Sequence, residues 1–123
     1  MAEGKTRRRL FRSISNWANS GDQEARDLRK TYAETGDPTI QDAPDRERVR
    51  LSGTLRTVTL RPRGGVPALE AELYDGTGVI TVLWLGRRRI TGIEPGRSLT
   101  VEGRICVQDR TRVMYNPRYE LAP

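Results

Sequence analysis

Histidine is missing from this 123-residue chain, and cysteine occurs once, at Cys106. Without His the chain lacks the side chain most used for proton transfer near neutral pH and for metal ligation. A lone cysteine cannot form an internal disulfide, and with no His partner and no companion ligand it offers neither an activated thiol nor a metal site. The many carboxylates show no spacing that singles out a pair. The sequence therefore predicts no catalytic residue, no metal and no cofactor. Cysteine usage fits a reducing cytoplasm. No apolar run reaches transmembrane length, and Leu10-Phe11-Arg12-Ser13-Ile14 is too short and too charged for a signal-peptide core. A cytoplasmic protein that does not span a membrane is expected.

Lysine is also scarce. Of the 22 basic residues only Lys5 and Lys30 are Lys; the rest are Arg. The net charge is +6 and the isoelectric point about 10.2, which favours a polyanionic partner, nucleic acid or an anionic surface. Arginine forks onto phosphate and guanine and stacks on bases. Codon usage in a GC-rich genome produces the same bias, and a basic protein can be merely soluble. Only 35% of residues are hydrophobic and the mean hydropathy is -0.69, so the core must be compact.

Two parts are visible, and no internal repeat. Residues 1–44 read as a helical extension and linker, residues 45–123 as a β domain. Leu10, Ile14 and Trp17 share one helical face. Ser20, with Gln23 three residues on, starts a second helix. Ala25, Leu28 and Tyr32 line one face of it, and Gly36 and Pro38 stop it. Asp37, Pro38, Asp42, Ala43 and Pro44 mark residues 37–45 as a linker, so the barrel is expected to fold without the first 44 residues.

In the β domain Val49, Leu51, Gly53 and Leu55 alternate, then Val58 and Leu60 continue after a phase slip; Gly53 inside a strand indicates a bend or bulge there. Arg61 to Pro67 is a loop. Leu69, Ala71 and Leu73 recur at period two, and a second strand runs from about Val79 to Leu85 across the Asp75-Gly76-Thr77-Gly78 turn. That turn lacks the lysine of a phosphate-binding loop. Residues 87–93 are one helical turn or a loop. Leu99, Val101, Gly103 and Ile105 alternate as strand four, Gln108 to Thr111 turn, and Val113 to Leu121 is strand five. The fold class predicted is all-β, a five-stranded OB-fold barrel with an N-terminal helical extension. An OB-fold binds oligonucleotides with its second and third strands and its first and last hairpin loops.

Val49-Arg50-Leu51-Ser52-Gly53, Leu73-Tyr74-Asp75-Gly76-Thr77-Gly78-Val79-Ile80, Gly96 to Gly103 and Asn116-Pro117-Arg118-Tyr119-Glu120-Leu121 resemble the anticodon-binding type of OB-fold. That family includes domains of aminoacyl-tRNA synthetases and of the replicative DNA polymerase, and the wedge of branch-migration helicases, which the Met114 to Leu121 ending resembles in particular. A stand-alone chain with a helical N-terminus is similar to small bacterial OB-fold proteins that bind nucleic acid. The resemblance covers residues 46–121 and includes no catalytic domain. It implies non-catalytic binding of nucleic acid, single-stranded or branched DNA ahead of RNA.

Candidate binding residues follow from the fold. Arg61 and Arg63 sit in the glycine-flanked first loop, where guanidiniums can follow a phosphate backbone. Arg110 and Arg112 flank the four-five hairpin, expected on the same side of the groove as a second basic rim. Arg87, Arg88 and Arg89 form the densest charge after the Arg7 to Arg12 arm, either a phosphate contact or a solvated turn. Thr81 and Leu83 would form the groove floor if Ile80, Val82 and Trp84 point inward; in the opposite register Trp84 is itself a stacking platform. The family pattern places an aromatic inside the core here, which favours Trp84 as core. Tyr74 and Tyr115 are further stacking candidates. Glu70 and Glu72 share the outward phase of Tyr74 and would repel phosphates unless Arg48, Arg50 and Arg56 neutralise them across the strands. Those carboxylates keep a second class open: an adaptor that docks on a replication, repair or translation protein.

Overall fold

The structure, a computed structural model, describes residues 21–33 and 35–123. The Arg7 to Arg12 arm, the Leu10–Ile14–Trp17 stripe and the Ser20 cap lie outside the described residues.

Among the described residues one helix, α1 (residues 21–33), precedes six strands: β1 (Arg48–Leu60), β2 (Ala68–Tyr74), β3 (Val79–Leu85), β4 (Ser98–Gln108), β5 (Thr111–Tyr115) and β6 (Arg118–Leu121). Antiparallel pairs join β1 to β2, β2 to β3, β4 to β5 and β4 to β1, and a parallel pair joins β3 to β5. Five strands thus close a ring of hydrogen-bonded neighbours, consistent with an OB-like barrel; β6 pairs with β4 beside β5.

The alternation read from the sequence sets the two faces. Leu51, Leu55, Leu69, Ala71, Leu73, Ile80, Val82, Trp84, Leu99, Val101, Ile105 and Met114 are buried together. Trp84 is core, 5% exposed, with its indole N–H donating to the Pro117 carbonyl at 3.1 Å. Strand one does slip in phase, but at Arg56: Leu55 faces Leu73 while Thr57 already faces Glu72. Gly53 lies three residues earlier, where β1 passes from β4 toward β2. A Cβ there would stand 2.8 Å from the Tyr74 carbonyl oxygen and 2.9 Å from Leu73 Cγ, so close approach rather than the bulge demands the glycine.

The fifth strand is two strands. Asn116 takes φ 48° and Pro117 lacks an N–H to continue the ladder, so β5 ends and β6 restarts on another stretch of β4. The 86–97 connection carries no helix; Ile90 and Ile93 drop into the core from it.

Residues 37–45, expected to be a linker, enter the barrel. Ile40 is fully buried and Ala43 nearly so, both within the main core. Asp75 fixes this segment: its buried carboxylate accepts from the Ile40 N–H at 2.9 Å and, within its own turn, from the Thr77 N–H, the Thr77 hydroxyl and the Gly78 N–H. In α1 the expected stripe, Ala25, Leu28 and Tyr32, turns toward the barrel. Gly76, at φ 90°, lies so near that a Cβ would collide with the Ala25 carbonyl, and the Tyr32 hydroxyl bonds Thr54 Oγ1 at 2.7 Å and Ser98 Oγ at 3.1 Å.

Candidate nucleic-acid interface

The outward face of β1, β2, β3 and β5 is where the register places the predicted floor and stacking residues Tyr74, Thr81, Leu83 and Tyr115. Thr57 and Thr59 face Glu72 and Glu70, and these face Thr81 and Leu83, which in turn face Val113 and Tyr115. Leu83 does point away from the core, yet it is fully buried beneath a small outer cluster of Ala68, Val113 and Tyr115. It cannot form an open floor. Thr81 is half-buried beside it. The Tyr115 hydroxyl donates to Gln108 Oε1 at 2.6 Å, which pins the ring against that cluster. Tyr74 carries the Arg56 guanidinium 5.0 Å from its ring centroid. The bulge turns Arg56 outward and builds this cation–π pair.

The strand-one arginines do not neutralise these carboxylates among the described residues. Glu70 is held by the loop pair, Arg61 at 3.2 Å and Arg63 at 3.3 Å, while Glu72 accepts from the Thr57 hydroxyl at 2.8 Å. Arg48 instead pairs with Glu102 and Arg50 with Asp37. Both side chains of the predicted phosphate loop thus rest on one carboxylate that is 17% exposed.

The two arginine-bearing hairpin loops do not lie on the same side. The 61–67 loop adjoins the Leu85 end of β3: Ala68 faces Leu85 and the Gly86 N–H donates to the Pro67 carbonyl at 2.7 Å. The β4–β5 hairpin adjoins the other end, since Val113 faces Thr81 and Arg110 lies three residues before it. Asp109 and Arg110 both have positive φ, 49° and 64°, as a two-residue type I′ turn requires. Arg110 is exposed there. Arg112 is a correction: it is part of the framework. Its Nε donates to Asp45 at 2.9 Å, and its terminal nitrogens donate to the Ile40 and Ala43 carbonyls. It shares the inward phase of Met114 and closes the barrel end over the 40–45 plug.

Arg87, Arg88 and Arg89 are exposed and form no ion pair among the described residues. They follow Gly86 directly, so they leave the barrel beside the 61–67 loop. Five arginines therefore come from the Leu85 end, two of them paired with Glu70. Exposed Leu60, Val66 and Leu85 come from the same end. Sequence reasoning missed the Arg56–Tyr74 stack and the Glu70 clasp; the spacing of Arg61, Arg63 and Glu70 across a hairpin was the available signal.

Among the described residues no three His, Cys, Asp or Glu side chains gather as a metal site, and no helix is long and apolar enough to cross a membrane. Cys106 is a half-buried free thiol.

No family model matches the sequence, and no curated protein matches it. Solved structures do. The chain is similar to RecG bound to a three-way DNA junction, with a TM-score of 0.57 and 19% identity over 70% of this chain and 12% of that one. It is also similar to a replication protein A heterotrimer bound to single-stranded DNA, with a TM-score of 0.50 and 17% identity over 68% of this chain and 70% of the matched chain. This chain corresponds to a small part of the RecG chain's length. At these identities the likeness is one of fold.

Proposed function

We propose that this protein is an OB-fold protein that binds single-stranded or branched DNA without catalysis. The observation that carries the reading is the basic end of the barrel, where exposed Arg87, Arg88 and Arg89 leave β3 beside Arg61 and Arg63. Guanidiniums in a row that hold no carboxylate among the described residues can displace counterions from successive phosphates, and the Arg56–Tyr74 pair on the adjoining face offers a π-surface to a base. The backbone would run from Tyr74 across β2 and β3 toward Arg87. The two similar structures hold single-stranded DNA and a three-way junction, which supports DNA over RNA as the first ligand to test. The expected site is in the cytoplasm.

A second reading has its own observation. Leu60, Val66 and Leu85 expose apolar surface at this same end, and Glu70 already occupies Arg61 and Arg63. These features suit docking on a protein of replication, repair or translation. Titration of labelled single-stranded, duplex and three-way-junction DNA at two salt concentrations decides. Binding that weakens steeply with salt supports the DNA reading. No binding to any of the three at low salt leaves the adaptor.

A further inference from the structure

A cavity of about 260 Å³ lies between α1 with the segment after it and the outer side of β1. Its walls include Arg29, Tyr32, Asp37, Pro38, Ser52 and Thr77. Tyr32 and Pro38 supply flat apolar sides. Arg29 spends only Nε, on the Ala25 carbonyl, among the described residues, which leaves its terminal nitrogens to donate. Asp37 pairs with Arg50 at 3.5 Å through one carboxylate oxygen, and among the described residues the other is left to accept. The other carboxylate in the wall, Asp75, is fully occupied by four hydrogen bonds.

This combination narrows the ligand. The volume falls below the ~300–1,000 Å³ of pockets for drug-sized molecules, so one ring system fits and a whole nucleotide does not. Two carboxylates in the wall disfavour a phosphate. The guanidinium of Arg29 and the carboxylate of Asp37 in the wall disfavour a purely apolar guest. Flat sides with a donor and an acceptor suit a planar heterocycle whose edge both gives and takes hydrogen bonds, as a nucleobase does.

The cavity also borders the proposed DNA path. Tyr32 in its wall bonds Thr54, and Thr54 is the β1 partner of Tyr74. We infer that the cavity receives a single unstacked nucleobase, its sugar and phosphate remaining outside. This rests on the DNA-binding reading when the base belongs to a bound strand; a free nucleoside carries the same chemistry.

The test uses the full chain and a single strand of about eight nucleotides, within the ~4–16 that one such barrel covers, with an abasic site moved through each position. One position should weaken binding roughly tenfold, the effect of removing one stacked base, and the others much less. Ala33→Phe, on the exposed side of the last turn of α1 where it lines the cavity, should bind the intact strand as weakly as the parent binds that abasic strand, and should become indifferent to the abasic site. Asp37→Ala should show the same indifference without filling the space, so a misfolded Ala33→Phe protein does not remove the test. Equal losses at every position, or variants that follow the parent, would overturn the cavity and leave DNA binding intact. If no strand binds, the DNA reading falls, and free guanosine and adenosine are then titrated against the Ala33 and Thr39 amide resonances. Saturable shifts there keep the cavity, and unmoved resonances overturn it.

Discussion

The two ends of β3 carry arginines of the same outward appearance in sequence and opposite fates in the fold. At the Leu85 end, Arg61 and Arg63 lean on Glu70 from an exposed loop, and Arg87 to Arg89 extend without ion pairs among the described residues. At the Thr81 end, Arg112 is spent on Asp45 and on the carbonyls of Ile40 and Ala43, while Arg110 points to solvent. The difference is made by what each guanidinium finds. A plug segment with buried carbonyls needs donors, and Arg112 supplies them; the open loop has no such need. Charge count alone does not locate a binding surface, because part of the charge is consumed by the backbone.

The largest expected effect breaks the comparison at its structural end. A chain beginning at residue 45 loses Ile40 and Ala43 from the core, and should show no cooperative thermal melt, whereas one beginning at residue 37 should keep one. Ile40→Ala alone should cost about 2–5 kcal/mol, as buried Ile truncations do, read by urea denaturation. A residue 45–123 fragment that melts like the parent would show that the plug is dispensable. Gly53→Val should cost several kcal/mol, since the new Cβ meets the Tyr74 carbonyl at 2.8 Å; an unchanged melting temperature would contradict the close-approach account.

Arg112→Ala comes next. It strands two carbonyls and Asp45, and the cost should be about 2–4 kcal/mol. Arg110→Gly should be neutral or slightly stabilising, because glycine takes positive φ without the side-chain cost. Equal melting shifts for the two would erase the distinction between them. Glu70→Gln should lower stability by less than about 1 kcal/mol, as ion pairs to solvent-exposed arginines contribute little. It should also release Arg61 and Arg63 and tighten binding of single-stranded DNA. Weaker binding by Glu70→Gln would mean that the clasp positions the loop rather than restraining it.

The barrel was legible where periodicity carried it. The Leu69–Ala71–Leu73 and Ile80–Val82–Trp84 phases, the turn between them and the α1 stripe stand as the alternation and spacing require. What escaped was non-periodic. Ile40 sits between Thr39 and Gln41 with only the small Ala43 on its face of the turn, so little local marks it as core; the barrel's open end makes it so. Pro117 was a visible objection to an unbroken strand, and its weight was missed because the alternation around it continues. Arg112 has the phase of Met114, a signal that it points inward, but its partners come from far earlier in the chain, at Ile40, Ala43 and Asp45. Leu83 was correctly outward and wrongly open, since a sheet's outer face can build a second small core.

The account's central claim is that the phosphates of DNA are held by the arginines of the Leu85 end and not by Arg110 of the β4–β5 hairpin. Fluorescence anisotropy with a labelled single strand at low and moderate salt, run on Arg87→Ala/Arg88→Ala/Arg89→Ala and on Arg110→Ala, tests it most directly. The triple variant should bind more weakly at low salt and show a salt slope reduced by up to ~0.7 for each phosphate that is no longer neutralised, with a melting temperature close to the parent's. Arg110→Ala should match the parent in both respects. A triple variant that binds as the parent does, beside an Arg110→Ala protein that does not, would contradict the claim and move the phosphate contact to the hairpin.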